Sequence, residues 1–349
     1  MKVLVVGDGV KIYSNAFFEA FKHLNHETKS FVWSSYFKGS GIRSFFNKLQ
    51  NKLLFGPIIS SLNNDLLSLV KEFKPELIFI YRGQYIHPNT LSLLKQSGAI
   101  LFSYHNDNPF KKKYNFFDID RHYLNGLPYY DWIFSYRKEN IIDYEKIGYQ
   151  NSSLLRSYYL KNDNFFIEEN YKNKFTCDVL FIGHWEDDGR DEMVLSLARL
   201  GINIKVFGTE WNKSKNYPEL QKYFGNIVAI RGLNYNIALN SAKIALVFLS
   251  KLNRDTYTRR CFEITATKTF MLAEYTDDLN SLYQEGLEAE YFRSISELLL
   301  KVEIYLNDDR HRNKIAINGY KQLIESGHES VDRVKEILQQ YKRLCNENK

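Results

Sequence analysis

Short apolar runs alternate with helical patterns along almost the whole chain. In the first half, mainly apolar runs predict strands at 3–6, 30–33, 77–81, 100–104 and 132–135. Between them, apolar residues recur at helical spacing and predict helices at 16–24, 42–55, 64–73, 88–96 and 140–147. This alternation is typical of βαβ units, in which parallel strands form a sheet with helices on its faces.

The pattern starts again after a polar, asparagine-rich stretch. It then predicts strands at 177–183, 204–207, 227–230, 244–249 and 270–273, and helices at 191–200, 236–241, 260–267, 294–306, 310–325 and 331–344. We therefore predict an α/β protein with two Rossmann-like domains that face a central cleft. The expected parts are a first domain at 1–160, a linker at 161–175, a second domain at 176–328, and a helix at 329–349 that crosses back to the first domain.

Composition and charge narrow the class of protein. The 349 residues carry a formal net charge of +6, which suits an anionic ligand but is not by itself the signature of a nucleic-acid-binding protein. The three cysteines match no zinc or disulfide framework. The predicted first strand begins at residue 3, and the start of the sequence does not have the layout of a signal peptide. No apolar run approaches the ~18 residues of a membrane span. We expect a cytoplasmic protein.

The segment 253–274 holds the most informative chemistry. Asp255 and Glu263 are eight residues apart, and Arg259 and Arg260 lie between them at the predicted start of a helix. A carboxylate there can accept both hydroxyls of a ribose, and arginines beside a helix N-terminus can bind phosphate oxygens. Ordinary charge pairing at a solvated helix start would give the same residues, so both interpretations stay open.

The second half of the chain resembles the CgeB-like, spore-maturation-type glycosyltransferases. The resemblance lies in D-V-L-F-I-G-H-W, F-G-T-E-W, S-A-K-I-A-L and R-R-C-F-E-I-T-A-T-K-T-F-M-L-A-E, and it continues through H-E-S-V-D-R-V-K-E-I-L. It covers roughly 178–338. No single motif is specific, but their order and spacing are. The resemblance implies the GT-B fold of the glycosyltransferase group 1 superfamily, with the donor nucleotide in the second domain.

The same resemblance assigns roles on the donor side. Glu263 is similar to the family's donor-ribose carboxylate, and Asp255 stands as the first residue of an acidic pair that favours retention of the anomeric configuration. The remaining positions are a diphosphate-facing loop with Gly183 and Arg190, and a base-bordering loop with Arg231, Gly232 and Tyr235.

Two residues depart from the family pattern. Lys268 stands in a turn where the family commonly has Gly, so its side chain could bind a phosphate or obstruct the approach of the donor. His184 follows Gly183 where small residues are usual. Both departures bear on the choice of donor and on activity itself.

On the first domain, residues that follow predicted strands should lie at the cleft. His105 and Asp107 follow the strand at 100–104, and they are our candidates for activating an acceptor hydroxyl. A turn capped by Asp107 would explain the same residues. Gly7 and Gly9 end the first strand and could let the acceptor or the donor sugar pass closely, and Arg82 could contact an acceptor or a phosphate.

We expect metal-independent chemistry, in which cations and helix-end N–H groups offset the charge of the leaving diphosphate. The letters D-I-D at 118–120 fit a metal-binding motif but lie in a polar insertion without a clear strand. The basic amphipathic stretch 42–55 fits an anionic lipid surface, and it equally fits a helix packed on its own sheet.

The leading hypothesis is a glycosyltransferase that uses a nucleotide-sugar, UDP- or GDP-linked, and no other cofactor. Its acceptor would be a glycan, a lipid-linked saccharide or a protein, in cell-surface polysaccharide synthesis. A catalytically degenerate module that binds a nucleotide or glycan is the second hypothesis. A UDP-sugar epimerase of the same fold is the third, and it would turn over its substrate without an acceptor.

Overall fold

The computed structural model describes residues 1–38, 41–110, 120–168 and 173–347, and for residues 41–45 it describes the backbone alone. The chain forms two compact units. Unit 1 consists of Met1–Arg156 together with Ser330–Lys349, and unit 2 consists of Ser157–Glu329.

Unit 1 contains a six-stranded parallel sheet. Its strands are β1 (Lys2–Gly7), β2 (Glu27–Val32), β3 (Leu77–Tyr81), β4 (Ile100–His105), β5 (Trp132–Ser135) and β6 (Ser152–Leu154). Its first helices are α1 (Ser14–His23), α2 (Gly41–Leu53), α3 (Pro57–Phe73), α4 (Pro88–Gln96), α5 (Arg121–Gly126) and α6 (Lys138–Lys146). Every residue of β3 is buried, because helices cover both faces of a parallel sheet.

The strand order in unit 1 defines where a ligand can enter. The order is β2-β1-β3-β4-β5-β6, so the chain leaves β1 on one side to form β2 and continues on the other side from β3. In open parallel sheets, ligands bind beyond the carboxyl ends of the strands at such a switch point. The loops after β1 and β3 flank this place, and they carry Gly7, Gly9 and Arg82.

Unit 2 contains a five-stranded parallel sheet. Its strands are β7 (Cys177–Ile182), β8 (Ile204–Phe207), β9 (Ala242–Val247), β10 (Phe270–Glu274) and β11 (Glu290–Phe292). Its helices are α7 (Arg190–Arg199), α8 (Tyr217–Phe224), α9 (Leu233–Asn240), α10 (Arg259–Ala266), α11 (Asp277–Leu282), α12 (Ile295–Asn307) and α13 (Asp309–Glu325). The strand order is β11-β10-β9-β7-β8, which puts the switch point between β7 and β9.

The last helix, α14 (Ser330–Glu347), belongs to unit 1 and packs on α1. It buries Val334 and Ile337. These apolar residues explain why the chain returns to unit 1 after completing unit 2, since the helix hides its apolar face there.

The stretch expected as a linker is attached to unit 2 at residues 165–167. The amide of Asn236 both accepts from the backbone N–H of Phe165, at 3.1 Å, and donates to its carbonyl oxygen, at 3.1 Å. Asn240 accepts from the N–H of Ile167 at 2.8 Å. Both asparagines lie on α9, so this part of the stretch is fixed by side chains of one helix.

One predicted element is wrong. Residues 227–230 form no strand: Ile227 is buried, Val228 is half exposed, and this segment accepts one backbone hydrogen bond, from Gly208, at 3.1 Å. The sequence prediction also omits β6 and β11, which have three residues each, and the short helices α5, α8 and α11. Elements this short show no clear period.

The segment predicted as an amphipathic helix at 42–55 forms α2. Phe46 and Leu49 on this helix and Phe55 after it are exposed, with Phe55 71% accessible. Within the described residues, no single helix has the length and hydrophobicity to cross a membrane. The sharply bent pair Phe46–Leu53 and Pro57–Phe73 passes that test by length and composition alone.

Candidate functional site

The switch point of unit 2 is lined by two loops, which follow β7 and β9. The loop after β7 runs from Gly183 to Gly189, and the loop after β9 leads to Thr258, the N-cap of α10. The phenyl ring of Phe248, just after β9, lies 6.0 Å from the guanidinium carbon of Arg190 at the start of α7. The two loops are therefore neighbours, as a ligand site at this edge of the sheet requires.

Gly183 lies in a crowded part of the backbone. Its N–H donates to Phe207 at 2.8 Å, and its carbonyl oxygen accepts from the indole of Trp211 at 3.0 Å. A Cβ at Gly183 would lie 2.6 Å from the Phe181 ring and 3.3 Å from Nη1 of Arg260. The guanidinium of Arg260 thus lies against the turn after β7, where only glycine fits.

The start of α10 combines a capped helix N-terminus with a neighbouring arginine. The hydroxyl of Thr258 accepts from the backbone N–H of Arg260 at 3.1 Å and so caps the helix. The guanidinium of Arg260 lies 5.8 Å from the centre of the Phe181 ring. A helix N-terminus together with an arginine beside it attracts phosphate oxygens. Sequence reasoning missed Thr258, although a threonine directly before a helix is a recognisable cap.

Glu263 lies buried on α10 and is held from two sides. Its Oε1 pairs with Nε of Arg259 at 2.9 Å, and its Oε2 accepts from the hydroxyl of Tyr235 at 2.6 Å. Burial, and then the charge of Glu263, raise the pKa of the Tyr235 phenol well above its ordinary value, so the phenol remains a donor. Each carboxylate oxygen keeps a second lone pair after these two contacts.

Arg190 is placed differently from the expected phosphate ligand. Its guanidinium is buried, with Nε donating to Asp188 at 2.8 Å and Nη1 donating to the carbonyl of His184 at 2.7 Å. Nη2 of Arg190 pairs with Oδ2 of Asp188 at 2.5 Å. Arg190 therefore stabilises the loop from its buried side. Its guanidinium contacts residues of the loop and does not point to the ligand site at the sheet edge.

His184 lies on the outer side of the same loop. Its Nε2 is 2.7 Å from Oε1 of Glu186, and its side chain is 50% exposed. Burial raises the pKa of the Glu186 carboxyl, but the hydrogen bond with His184 and the charge of Arg190 outweigh burial, so that pKa is lowered. The pattern of the sequence gave no indication that Glu186 holds this imidazole.

Three other predicted donor residues lie on the loops of unit 2. Asp255 is partly buried, and its N–H donates to Ser250 at 2.9 Å, in the loop that leads to α10. Arg231 and Gly232 are exposed, and Gly232, with φ of 58°, precedes the helix that carries Tyr235. The two loops therefore lead into the helices that carry Glu263 and its tyrosine partner.

Lys268 lies past the far end of α10. Its backbone is left-handed, with φ of 54°, a conformation that glycine adopts without strain. Its ammonium lies 4.3 Å from the centre of the Phe166 ring and 4.9 Å from that of Tyr320. The eight residues of α10 span ~12 Å, so Lys268 neither contacts a phosphate at the helix N-terminus nor blocks it.

In unit 1, the glycines after β1 serve the local packing. A Cβ at Gly7 would overlap the side chain of Ser14, and Gly9 has φ of 73° with Val32 close to the place of a Cβ. The carboxylate of Asp8 accepts from the hydroxyl of Ser14 at 2.7 Å. This closed turn fixes α1 against β1.

Arg82 and Asp107 form an ion pair beyond the ends of β3 and β4. Nη2 of Arg82 is 2.9 Å from Oδ2 of Asp107, and Nε donates to the side chain of Asn106 at 2.8 Å. The Tyr13 ring centre lies 5.5 Å from the guanidinium carbon of Arg82. The carboxylate of Asp107 remains 35% exposed. This pair lies at the switch point of the first sheet.

His105 is buried, with 2% of its surface exposed, unlike the partly exposed Asp107. Its Nδ1 is 3.0 Å from the carbonyl oxygen of Asp107, and its Nε2 is 3.4 Å from Oδ1 of Asp120. The Tyr123 ring covers it at 4.6 Å between centres. Because the imidazole is enclosed in this way, it stabilises the loop after β4. The exposed side chain at the tip of that loop is Asp107.

In the part of the chain that the structure describes, no three His, Cys, Asp or Glu side chains lie close enough together to bind a metal ion. Residues 118 and 119 of the D-I-D motif lie outside the described residues.

Residues 190–339 match the model of a family described as glycosyl transferase-like. Among curated proteins, none matches this chain. Solved structures match over nearly its whole length. Sucrose-phosphate synthase from Thermosynechococcus elongatus has a TM-score of 0.72 at 9% identity, with 99% of each chain covered.

HepE from Anabaena, in complex with UDP-glucose, has a TM-score of 0.69 at 11% identity, covering 98% of this chain and 100% of its own. A UDP-N-acetylglucosamine 2-epimerase from Listeria monocytogenes, described as putative, has a TM-score of 0.61 at 11% identity, covering 99% and 97%. The protein therefore has the GT-B fold, which confirms the predicted fold class. The family match lies within unit 2 and the first part of α14.

Proposed function

We propose that this protein is a glycosyltransferase that moves a sugar from a nucleotide-sugar to an acceptor hydroxyl. The observation that carries the proposal is the arrangement at α10: a buried carboxylate at Glu263, held by Arg259 and Tyr235 on a helix with a capped N-terminus. Glu263 would accept the ribose hydroxyls. Arg260 and the helix N-terminus would bind the diphosphate beside Gly183.

The donor we propose is a UDP-sugar, with a GDP-sugar as the other candidate. The structurally similar HepE holds UDP-glucose, which supports uridine. In the reaction, the diphosphate leaves with an added negative charge. Fixed cations and N–H groups stabilise that charge where it develops, because they need no reorganisation when the bond breaks. The spacing of Asp255 and Glu263 resembles the acidic pair of the glycosyltransferase group 1 superfamily, and this resemblance supports a retaining enzyme.

On the acceptor side we assign Asp107 as the group that receives the proton of the acceptor hydroxyl. Its side chain is 35% exposed, and Nη2 of Arg82 orients it from 2.9 Å. His105 is proposed as a positioning residue, because its buried imidazole contacts the backbone of Asp107. Asp107→Asn should therefore lower kcat more than KM, whereas His105→Gln should reduce thermal stability along with kcat.

The acceptor class we propose is a cell-surface glycan or a lipid-linked saccharide, in a CgeB-like enzyme of the cytoplasm. Phe46, Leu49 and Phe55 are exposed beside the basic side chain of Lys48, an arrangement that suits an anionic lipid surface at the inner face of a membrane. Co-sedimentation with phosphatidylglycerol vesicles but not phosphatidylcholine vesicles would support this contact. Equal sedimentation of a Phe46→Ser, Phe55→Ser variant would contradict it.

A UDP-sugar epimerase is the second candidate, and the similarity to the Listeria monocytogenes structure supports it. A binding module without catalysis is the third, and its donor site would bind without turnover. The deciding measurement is the release of UDP from UDP-glucose and from UDP-N-acetylglucosamine, with and without a panel of glycan and lipid-linked acceptors.

Release that depends on an acceptor, together with a new glycosidic product, supports the transferase. An altered sugar recovered without an acceptor would establish the epimerase instead. Glu263→Ala is the control that should abolish either activity through loss of donor binding. Binding of UDP-sugars without any turnover would favour the binding module.

A further inference from the structure

Arg82 holds two side chains of the loop after β4 next to each other. Its Nε donates to Oδ1 of Asn106 at 2.8 Å, and its Nη2 lies 2.9 Å from Oδ2 of Asp107. One guanidinium thus engages one oxygen from each of two consecutive residues, in the fixed fork geometry of its donors. The amide and the carboxylate therefore lie side by side beyond the carboxyl ends of β3 and β4.

The backbone of this cluster is fixed as well. Arg82 has a left-handed φ of 70°, a conformation that is costly for a residue with a side chain and that occurs preferentially at functional sites. Nη1 of the buried Arg137 donates to the carbonyl oxygen of Asn106 at 2.8 Å. Nδ1 of His105 lies 3.0 Å from the carbonyl oxygen of Asp107. The side chains of Asn106 and Asp107 are therefore preorganised, which lowers the entropic cost of binding a ligand.

The contact with Arg82 determines how the amide of Asn106 is oriented. Nε of an arginine is a donor only, so the amide atom that it contacts must be the oxygen. The other atom of the amide is the nitrogen Nδ2, with two N–H donors. Among the described residues Nδ2 has no hydrogen-bond partner, and the side chain of Asn106 is partly exposed. A ligand at this edge of the sheet therefore meets an amide donor beside the carboxylate of Asp107, which is 35% exposed.

A donor and an acceptor placed next to each other in this way fit two adjacent hydroxyl groups. Each hydroxyl can both donate and accept. One hydroxyl can give its proton to the carboxylate while the oxygen of its neighbour accepts from the amide. A saccharide offers such a vicinal diol, whereas the side chain of a serine or a threonine offers a single hydroxyl.

We infer that Asn106 determines the acceptor specificity: its amide N–H donates to the hydroxyl next to the one that attacks, so the acceptor is a saccharide with a vicinal diol. The inference rests on the proposed function and excludes a protein hydroxyl as the acceptor. The attacking oxygen forms a bond to the anomeric carbon and passes its proton to Asp107. The bond from that carbon to the diphosphate oxygen breaks, and its electron pair leaves with the diphosphate. Asn106 keeps both of its protons and positions the diol.

The first test compares acceptors in the release of UDP from UDP-glucose by the full chain. The acceptors are a panel of methyl glycopyranosides and a peptide with serine and threonine hydroxyls. A glycoside should be glycosylated and the peptide should not. The product identifies the attacked hydroxyl, and analogues that lack one hydroxyl beside it are then assayed. One analogue should lose about 10-fold in kcat/KM, as expected for a single hydrogen bond from a neutral, partly exposed donor.

Asn106→Asp links this loss to one residue. The new carboxylate can still accept from Nε of Arg82, but it has no N–H to donate. The variant should lose about 10-fold in kcat/KM with the intact glycoside and should no longer distinguish the deoxy analogue from it. Asn106→Ala, which adds no charge, should show the same loss of discrimination.

The matched control is Asn151→Asp. Asn151 is exposed in unit 1 directly before β6, at the amino ends of the strands, so the same change of charge is made at the opposite edge of the sheet. This control should keep the wild-type activity and the wild-type discrimination between the glycoside and its deoxy analogue.

The outcomes separate this inference from the proposed function. If the chain binds UDP-glucose but glycosylates the peptide, uses no glycoside, or uses every deoxy analogue as well as the parent glycoside, the donor site stands and the diol is refuted. Discrimination that persists in both Asn106 variants would refute the role of Asn106. If the chain binds neither UDP-glucose nor any other nucleotide-sugar, the proposed function falls and the inference falls with it.

Discussion

Replacing Glu263 by Gln should separate donor recognition from stability. The substitution keeps the size of the side chain and removes its charge. A hydrogen bond to a charged acceptor contributes ~1.5–3 kcal/mol and one to a neutral acceptor ~0.5–1.5 kcal/mol, so two ribose hydroxyls should lose about 2 kcal/mol together. Since 1.4 kcal/mol is a factor of ten, Kd for UDP-glucose should rise about 30-fold.

Unit 2 contains a matched control for this substitution. Glu290 is also a buried glutamate that pairs with a cation, Lys301 at 3.0 Å, and accepts from a tyrosine hydroxyl, that of Tyr305. Glu263→Gln and Glu290→Gln should each lower the free energy of unfolding by about 1–2 kcal/mol.

Isothermal titration calorimetry with UDP-glucose and thermal denaturation distinguish the two effects. Only Glu263→Gln should weaken binding. Equal losses of affinity in both variants would show that the effect is general destabilisation. An unchanged Kd in Glu263→Gln would refute the assignment of Glu263 to the ribose.

Further predictions concern stability. Gly208→Ala should lower the free energy of unfolding by about 3 kcal/mol, because a Cβ there would overlap the carbonyl of Gly183; unchanged urea denaturation would contradict it. Lys268→Gly relieves ~1 kcal/mol of left-handed strain and loses ring contacts of similar size, so stability and UDP-glucose affinity should both stay close to wild type; a large loss of affinity would return Lys268 to the donor site. Burial lowers the pKa values of His87 and His122 below those of the unfolded chain, which then binds more protons, so stability should fall as pH drops through about 6.5. Urea denaturation at two pH values should show this fall, and a double His→Gln variant should show less of it.

The arrangement of the sheets could be predicted because each buried parallel strand leaves a run of apolar residues. β3 is buried at every position, and the run at 77–81 marks it with the correct bounds. The same runs show which residues follow a strand, so Gly183, Arg82 and Asp107 could be placed at sheet edges from the sequence. The run at 227–230 misled because only Ile227 packs on the core, while Val228 is half exposed and the segment does not join the sheet.

The partner of each side chain could not be predicted in the same way. Arg190 follows the loop after the first strand of unit 2, as a phosphate ligand would, but its guanidinium is buried on Asp188. His105 follows a strand as a general base would, but Tyr123 covers it. Position along the chain determines the edge of the sheet at which a residue lies. Which way a long side chain points depends on local packing, which leaves no period in the sequence.

Lys268 and His184 are the two residues that depart from the expected pattern, and the structure accounts for them differently. Lys268 has a left-handed φ, which glycine adopts without strain, and its contacts with Phe166 and Tyr320 hold its side chain past the far end of α10. His184 is half exposed, and its Nε2 lies 2.7 Å from Oε1 of Glu186. A substitution at Lys268 therefore changes the strain of a turn, whereas a substitution at His184 changes the hydrogen bonding of an exposed loop at the edge of the sheet.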